Sequence, residues 1–488
     1  MGIVSTSVLV IEEADQDRPS AIWRHAGMRI WLLVIAVTIV SVYWRAFDYP
    51  FQYDDIHSIV ENPNLTSLTN LPRYFADPTL FSSAPGSAMY RPVLLVSYAI
   101  NRACGGLNPV GYRWVNLAVH VACALLLATV VAAWTGRYSV GVIAGAVFGL
   151  HPINAEAVVY ISSRSESLCA LFYLLSLWFY ARASPDTGRH RSWLLASLAA
   201  FACSLLSKSV AVTLPVALML YDTLVARARP ESRLLTEVAR RQWPFWAVGA
   251  AYLVIIRGML SNALLAEPVR GYGAHVATQM KAAVYYLKLL AMPTALSVEH
   301  GFTIPSAPGP TVTLSLLFVL SLSLVVICCR AVRRQRFWII WGAVVLLPAS
   351  LTPLNVLVNE HRLYLTSAAF SLLTVCLMLT LGDRTRALTW IVAPLLLSLG
   401  SLSFQRIGVW ETPLSLWRDA SRKAPYMPRP HIFLGDHFKL VGDYEGALSE
   451  YELSLRVYPQ HLSGGDLLTI SAACCGCWKG GWSRRSHC

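Results

Sequence analysis

The sequence predicts an all-α protein: a bundle of membrane-spanning helices followed by a short helical region that is soluble in character. Only 14% of the 488 residues are charged and 55% are hydrophobic, whereas about a quarter of residues are charged in soluble domains. The hydrophobic residues form runs of about 15 to 20, close to the length that crosses a bilayer as a helix. Because these runs lack the alternation of barrel strands, we expect the spans to be helical.

The apolar runs predict about eleven spans, and the first is expected to be a signal anchor because it is long enough to cross the membrane. The predicted spans are 28–47, 112–134, 139–157, 165–182, 192–206, 210–224, 243–257, 311–329, 337–354, 364–382 and 387–404. Two further segments, 93–104 and 276–292, are candidates for the membrane interface, since one is short and the other is amphipathic.

The arginine distribution predicts the orientation of these spans. If residues 1–27 are cytoplasmic, the connecting loops that also fall inside are all basic, as the positive-inside rule expects. These loops are 183–191, 225–242, 330–336 and 383–386. The long loops 48–111 and 258–310 then lie on the non-cytoplasmic side of a bacterial inner membrane or the endoplasmic reticulum membrane.

The net charge of +13 is explained by these basic loops and does not indicate nucleic-acid binding. A nucleic-acid-binding protein would carry a basic stripe interleaved with aromatic residues in a soluble domain. No such stripe is found in this sequence, so we expect no nucleic-acid partner.

The region after the last span, 405–462, predicts a tetratricopeptide-like helical repeat. Leu434-Gly435, Tyr444, Ala447 and Pro459 follow one another in the order of that 34-residue pattern. An odd number of spans predicts that this region is also on the non-cytoplasmic side. The tail 463–488 departs from the pattern, its cysteines lack the spacing of a zinc site, and no function is assigned to it.

Two adjacent carboxylates, Asp54 and Asp55, come just after the first span and are candidate catalytic residues. In a glycosyl transfer, a carboxylate base removes the proton of the acceptor hydroxyl, and negative charge stabilises the oxocarbenium-like transition state. The alternative is a solvated turn or a helix cap.

Two cations at the predicted outer boundary, Arg91 and Lys208, suit a lipid-linked phosphate. The alternative for Arg91 is an interfacial anchor, and for Lys208 it is snorkelling to the headgroups. His151, Glu156 and Arg164 emerge together at membrane depth, where ionisable groups either pair in a polar network or serve a site. Glu299, His361 and Arg362 fall on the same predicted side. This shared placement predicts an external active site.

Several motifs, taken in order along residues 30–460, resemble the transmembrane and tetratricopeptide-repeat (TMTC) family and its bacterial relatives in the GT-C glycosyltransferase superfamily. The motifs are Tyr53-Asp54-Asp55 with Glu61-Asn62, Tyr90-Arg91-Pro92, Leu107-Asn108-Pro109, residues 151–158, Ser207-Lys208, residues 296–299 and residues 360–365. This sequence differs from the TMTC family pattern in two respects. Its repeat region is short, and Ser209 stands where many animal members have an acidic residue.

The resemblance implies that residues 28–404 form a GT-C-like catalytic domain that transfers a mannose-like hexose, with inversion, from a polyprenyl- or dolichyl-phosphate to a Ser or Thr hydroxyl of a protein. It implies a catalytic role for Asp54 and Asp55, with Asp54 as the favoured base. The donor-binding candidates are Arg91, His151, Glu156, Arg164, Lys208, Glu299, His361 and Arg362. No cofactor is required, although Mg²⁺ or Mn²⁺ would suit the carboxylates.

Two other classes of protein remain open. A multi-spanning transporter would need polar groups at the membrane midplane or broken, repeat-related spans. A non-catalytic membrane scaffold would use its repeat to bind partners, and its acidic pair could be neutralised without consequence.

Overall fold

A computed structural model describes residues 21–84, 86–183, 189–226, 231–261, 270–304, 309–330, 332–353, 356–381 and 385–457. These residues are mostly helical and contain no strand, which confirms the predicted fold class. The α-helices are α1 (Ala21–Tyr43), α2 (Pro92–Gly105), α3 (Pro109–Thr135), α4 (Tyr138–Leu150), α5 (Ala155–Val159), α6 (Arg164–Arg182), α7 (His190–Leu205), α8 (Leu214–Leu224), α9 (Glu231–Ile255), α10 (Arg257–Ser261), α11 (Tyr272–Ala291), α12 (Pro310–Cys328), α13 (Arg336–Leu351), α14 (Tyr364–Leu381), α15 (Thr385–Val409), α16 (Pro413–Lys423), α17 (Pro428–Leu440) and α18 (Tyr444–Val457).

Each of the eleven predicted spans overlaps a helix among the described residues, but the helices differ in length. Within the described ranges, five helices are long and apolar enough to cross a membrane: Gly27–Ala46, Pro109–Thr135, Pro310–Cys328, Glu360–Thr380 and Trp390–Val409. A sixth span results if the bent pair Tyr138–Leu150 and Pro152–Val159 counts as one. Ser209–Leu224 and Arg336–Leu351 are shorter apolar helices. The count of about eleven spans therefore stays a prediction.

Helix α4 packs closely against its neighbours through a row of glycines four residues apart. A Cβ atom on Gly141 or Gly145 would lie 2.3 Å or 2.7 Å from a backbone oxygen of α3, and one on Gly149 would lie 2.3 Å from Ile39 of α1. Small residues with this spacing allow helix backbones to approach in a membrane. After Leu150 the helix ends at His151 and Pro152, because proline cannot continue the hydrogen-bond ladder, and the chain bends by 51° into α5.

The first long loop, 48–111, is a packed subdomain and not an open connection. Short 3-10 helices and α2 surround a buried cluster of aliphatic and aromatic side chains. Ile59, Tyr74 and Tyr98 belong to this cluster, and Ile161 and Leu168 join it from the region around α6. The acidic pair therefore lies on a well-supported framework.

The chain divides into two compact units. The first contains the described residues up to Thr294 together with Ile304–Gly408, and the second contains Ala295–Thr303 and the described residues from Val409 onward. The predicted boundaries at 28, 405 and 462 stay predictions. Residues 1–20 and the tail 463–488 lie outside the described part of the chain.

The second unit contains a helical hairpin formed by α17 and α18. Gly442, with φ +82°, lies in the turn, and Gly435 touches the ring of Tyr451, where a Cβ atom would approach to 2.5 Å. The Tyr451 hydroxyl donates to Asp436 at 2.7 Å. This close pairing is consistent with the predicted repeat, whose identity as a tetratricopeptide stays a prediction.

Candidate active site

The acidic pair lies in an irregular stretch of backbone directly after the first span. Tyr53 has a φ of +51°, the one positive value among the described non-glycine residues, and a bulky side chain adopts this conformation only when the surrounding structure imposes it. A short π-helix, Ile56–Val60, follows. Such π-helical turns are often found at functional sites.

Asp55 is fully buried and ties the first loop to the segment before α6. Its Oδ1 accepts from the Ser162 N–H at 2.8 Å and from the Ser162 hydroxyl at 2.6 Å, and its Oδ2 accepts from the Gln52 N–H at 3.1 Å. Burial raises the pKa of Asp55 to about 6, although these hydrogen bonds and Arg113 oppose the shift by favouring the charged form. This environment favours an anchoring role for Asp55.

Asp54 is the accessible member of the pair, with 43% of its side chain exposed. Its Oδ1 lies 3.3 Å from Nε2 of His57. Its backbone N–H donates to the Tyr160 hydroxyl at 3.0 Å, and that hydroxyl also interacts with the carboxyl group. An exposed carboxylate held by polar neighbours suits a general base, which must reach the proton that it removes.

Residues 160–166 connect the acidic pair to a second group of ionisable side chains. Tyr160 contacts Asp54, Ser162 binds Asp55, and the Ser165 hydroxyl accepts from Arg91 Nη1 at 3.2 Å. Glu166 follows in the first turn of α6. One short segment of the chain, residues 160–166, therefore contacts both groups of side chains.

The second group is a chain of alternating acid and base, which we call the Lys208 cluster: Lys208, Glu166, His361 and Glu156. Lys208 Nζ binds Glu166 Oε1. The same oxygen lies 3.6 Å from His361 Nε2, and His361 Nδ1 lies 2.7 Å from Glu156 Oε1. Each member comes from a different segment: Glu156 and Glu166 lie in the first turns of α5 and α6, Lys208 directly precedes a 3-10 helix, and His361 lies in the 3-10 helix before α14.

Further cations surround the Lys208 cluster. Arg91 and Arg362 act electrostatically on His361, and Arg91 also acts on Lys208. The Arg362 guanidinium donates to the carbonyl oxygens of Leu357 and Val356 at 3.2 and 2.8 Å. The region therefore combines three basic side chains, Arg91, Lys208 and Arg362, with two carboxylates, an arrangement that suits an anion.

Two of the predicted donor-binding residues are fully engaged inside the protein. His151 Nε2 lies 2.9 Å from the Leu290 carbonyl oxygen, and its Nδ1 accepts from the Ile153 N–H at 3.2 Å. Arg164 is fully buried and donates to Asn116, Asn101 and the Tyr112 carbonyl oxygen at 2.6 to 2.8 Å. These contacts favour the polar-network alternative for both residues, and their donor-binding role stays untested.

Glu299 belongs to the second compact unit. Its Oε2 lies 3.1 Å from Arg429 Nη1 at the start of α17, and Lys423 donates to the Leu296 carbonyl oxygen at 2.7 Å. Burial raises the pKa of Glu299, while the guanidinium beside it favours its charged form. These contacts attach the segment Ala295–Thr303 to α16 and α17, which the sequence analysis did not foresee.

Four residues of the site were missed by sequence reasoning: Glu166, Ser162, Tyr160 and His57. Glu166 is close to Arg164 in sequence, but residues two apart on a helix face different directions. The structure is needed to show that Glu166 is the one that binds Lys208. Ser162 and Tyr160 contact the acidic pair over more than 100 residues of sequence. His57 carried a usable signal, because it lies three residues after Asp54 in a turn.

Among the described side chains, no three His, Cys, Asp or Glu residues are arranged to hold a metal ion. Lys208 binds Glu166 Oε1, and His361 Nδ1 lies 2.7 Å from Glu156 Oε1. The expectation that no cofactor is required stays a prediction.

The arrangement offers two chemical functions along one short segment, residues 160–166. Asp54 offers an exposed base, and the Lys208 cluster with Arg91 offers charge-assisted hydrogen bonds of the kind that hold phosphate. A reaction that deprotonates one group while an anionic group departs needs both.

Comparison with models of known protein families gives no match. Among characterised proteins, the chain is 31% identical over 216 residues to protein O-mannosyl-transferase TMTC2 of Mus musculus, which covers 43% of this chain and 26% of that protein. It is 30% identical over 215 residues to TMTC4 of Homo sapiens, covering 40% and 29%. It is 25% identical over 442 residues to protein O-mannosyl-transferase F38B6.6 of Caenorhabditis elegans, covering 86% and 61%.

Two solved structures are also similar to this one. The archaeal oligosaccharyltransferase AglB of Archaeoglobus fulgidus, in complex with an inhibitory peptide and a dolichol-phosphate, matches with a TM-score of 0.46, 10% identity and coverage of 90% of this chain and 60% of that chain. ArnT of Cupriavidus metallidurans, bound to undecaprenyl phosphate, matches with a TM-score of 0.41, 14% identity and coverage of 93% and 77%.

The predicted resemblance to the TMTC family is confirmed by these relatives, which are protein O-mannosyl-transferases by name. The matched region spans about a quarter of the length of the mammalian relatives. The five or six candidate spans among the described residues, together with this relationship, make the chain a multi-pass membrane protein.

Proposed function

We propose that this protein is a membrane glycosyltransferase that moves a mannose-like hexose from a polyprenyl- or dolichyl-phosphate donor to a Ser or Thr hydroxyl of a protein. One observation carries the proposal: within residues 160–166, the Tyr160 hydroxyl interacts with Asp54 and Glu166 binds Lys208. This segment links a candidate base to a candidate phosphate-binding site, and glycosyl transfer from a lipid phosphate requires both. The names of the relatives support mannose as the sugar.

Asp54 is the base in this proposal. As the acceptor oxygen attacks C1 of the sugar, its proton passes to the Asp54 carboxylate, and the bond between C1 and the phosphate oxygen breaks. The sugar is transferred with inversion because the acceptor enters opposite the departing phosphate. A nearby carboxylate also stabilises the positive charge that develops on the sugar ring.

Lys208 and Arg91 receive the departing phosphate. Breaking the C1–oxygen bond leaves an additional negative charge on the lipid phosphate, and cations arranged beforehand stabilise this charge without reorganisation. The link between Lys208 and Glu166 keeps the ammonium group oriented before the donor arrives. We infer that the phosphate binds beside this pair and shares the Lys208 ammonium group.

The reaction takes place on the non-cytoplasmic side in this proposal, because the basic loops predict that the first long loop is outside. The experiment therefore tests on which side of the membrane transfer occurs, as well as the transfer itself.

The experiment uses the full chain in sealed proteoliposomes with known orientation, a polyprenyl-phosphate carrying radiolabelled mannose, and a Ser/Thr-rich peptide. We expect labelled peptide only when the peptide has access to the face that carries residues 48–111, as located by cysteine labelling of single-cysteine variants. Uptake of free sugar without labelled peptide would indicate a transporter. Neither uptake nor transfer with any lipid-linked sugar would indicate a scaffold and contradict the proposal.

A further inference from the structure

We propose that His57 is a positioning residue for the Asp54 base, holding its carboxylate with an Nε2–H hydrogen bond while Ser82 fixes the other side of the ring. This inference rests on the proposed function, because it assumes that Asp54 is the base. The geometry consists of two contacts: His57 Nε2 lies 3.3 Å from Asp54 Oδ1, and His57 Nδ1 lies 2.8 Å from Ser82 Oγ.

The turn at residues 82–84 is built around His57. The Ser83 N–H and the Ser83 hydroxyl both donate to the His57 carbonyl oxygen, at 3.0 and 3.1 Å. The preceding backbone is held by Asn62, whose side-chain amide donates to the Leu80 and Phe81 carbonyl oxygens at 3.1 Å. Residues 82–83 therefore hydrogen-bond to both the backbone and the ring of His57. A surface histidine without a structural or functional role does not require two such contacts.

The hydrogen bonds of Ser82 are compatible with a His57 tautomer in which Nδ1 accepts. The Ala84 N–H donates to one lone pair of Ser82 Oγ at 2.9 Å, which leaves the serine hydroxyl proton available for donation to His57 Nδ1. The ring then carries its proton on Nε2, facing Asp54. The opposite tautomer would direct a lone pair of Nε2 at an ionised carboxylate, which is unfavourable.

This arrangement holds the base without burying it. His57 and the Tyr160 hydroxyl both contact the Asp54 carboxyl group, yet 43% of the Asp54 side chain and 29% of the His57 side chain remain exposed. A carboxylate fixed in one orientation presents its accessible oxygen to the acceptor hydroxyl. Orientation of this kind raises the rate of the chemical step more than it changes donor binding.

The kinetic test compares His57→Ala, His57→Gln and Ser82→Ala in proteoliposomes, with His190→Ala as a control that loses a histidine contact to a backbone carbonyl elsewhere. Because misplacing a catalytic group by about 1 Å can cost about 100-fold, His57→Ala is expected to lower kcat by about 10- to 100-fold, with donor KM within about twofold. His57→Gln is expected to recover most of the loss, because its amide N–H can replace Nε2–H. An unchanged kcat in His57→Ala would overturn the proposal, and so would equal losses in the Ala and Gln variants when both remain folded.

A second measurement does not depend on turnover. Solid-state ¹⁵N spectra of histidine-labelled protein in lipid identify the His57 signals by their absence from His57→Gln. We expect the Nε2–H tautomer in the wild type and a redistribution towards Nδ1–H in Ser82→Ala. A wild-type Nδ1–H tautomer would overturn the inference, whereas absence of transfer in a wild type with the Nε2–H tautomer would overturn the proposed function alone.

Discussion

Asp55 and Ser162, 107 residues apart in sequence, are joined by two hydrogen bonds: the Ser162 N–H and hydroxyl both donate to Asp55 Oδ1, at 2.8 and 2.6 Å. This contact fixes the first loop to the segment that leads into α6. It also distinguishes the two acidic residues, since Asp55 is used as an anchor while Asp54 remains exposed.

Removing the Ser162 hydroxyl is expected to destabilise the protein. Ser162→Ala leaves a buried carboxylate with one fewer donor, which typically costs about 1–3 kcal/mol, and it raises the pKa of Asp55 further because the lost hydrogen bond favoured the charged form. Thermal unfolding in detergent measures the effect. Ser162→Thr keeps the hydroxyl and is the control. Equal melting temperatures for wild type and Ser162→Ala would contradict the anchoring role.

The raised pKa of Asp55 predicts a pH dependence of stability. Its pKa is about 6 in the folded protein, against 3.8 for an ordinary aspartate, so the folded state binds the proton more tightly. The tighter proton binding adds to the free energy of unfolding. This added stability is complete below about pH 4, falls as the pH rises to about 6 and is lost above that value. About two pKa units correspond to the order of 3 kcal/mol.

The comparison for this pH effect is Asp55→Asn, which cannot titrate. Between pH 4 and pH 7, the unfolding free energy of the wild type is expected to decrease relative to that of Asp55→Asn, as measured by denaturant titration. Parallel pH profiles for the two proteins would show that Asp55 does not titrate in this range.

Lys208 and Glu166 are expected to be energetically coupled. Lys208→Met leaves the buried Glu166 carboxylate without its ammonium partner, and breaking one side of a buried pair typically costs about 3–5 kcal/mol. Adding Glu166→Gln is expected to restore part of the lost stability, since no uncompensated charge then remains. Lys288→Met, which removes an exposed lysine of α11, is the control. Simple additivity of the two changes would contradict the coupling.

The helical hairpin of the second unit offers a test that is independent of the site. Gly435→Ala places a methyl group 2.5 Å from the Tyr451 ring, which forces α17 and α18 apart. Faster amide hydrogen exchange over residues 428–457 is expected, with little change in α3 and α4. Tyr451→Leu in the same background should recover part of the protection, and unchanged exchange in Gly435→Ala would contradict the close packing.

Sequence reasoning predicted the helical class and the positions of the apolar helices, because these depend on local hydrophobicity, and it nominated Asp54, Lys208 and His361 as candidate site residues. It did not predict that α4 ends at Leu150 or that the chain bends by 51° between α4 and the short helical segment that carries Glu156. Nor did it distinguish Glu166, which binds Lys208, from Arg164, which is satisfied by Asn116 and Asn101.

The roles of individual polar residues depend on contacts across long stretches of sequence. Glu156 and His361 are 205 residues apart in sequence, and no local sequence pattern indicates that they are in contact. His151 is a residue for which sequence position was misleading. Its type and its position at membrane depth favoured a functional site, but both of its ring nitrogens interact with backbone groups.

The most direct test of the central claim is the rate of mannose transfer by Asp54→Asn. Asparagine has nearly the shape of aspartate but cannot accept the hydroxyl proton, and a positioned base contributes about 10²- to 10⁴-fold. Asp48→Asn makes the same chemical change at an exposed aspartate of the same loop. We predict a loss of at least about 100-fold in kcat for Asp54→Asn and wild-type activity for Asp48→Asn, whereas full transfer activity in a folded Asp54→Asn protein would contradict the assignment of Asp54 as the base.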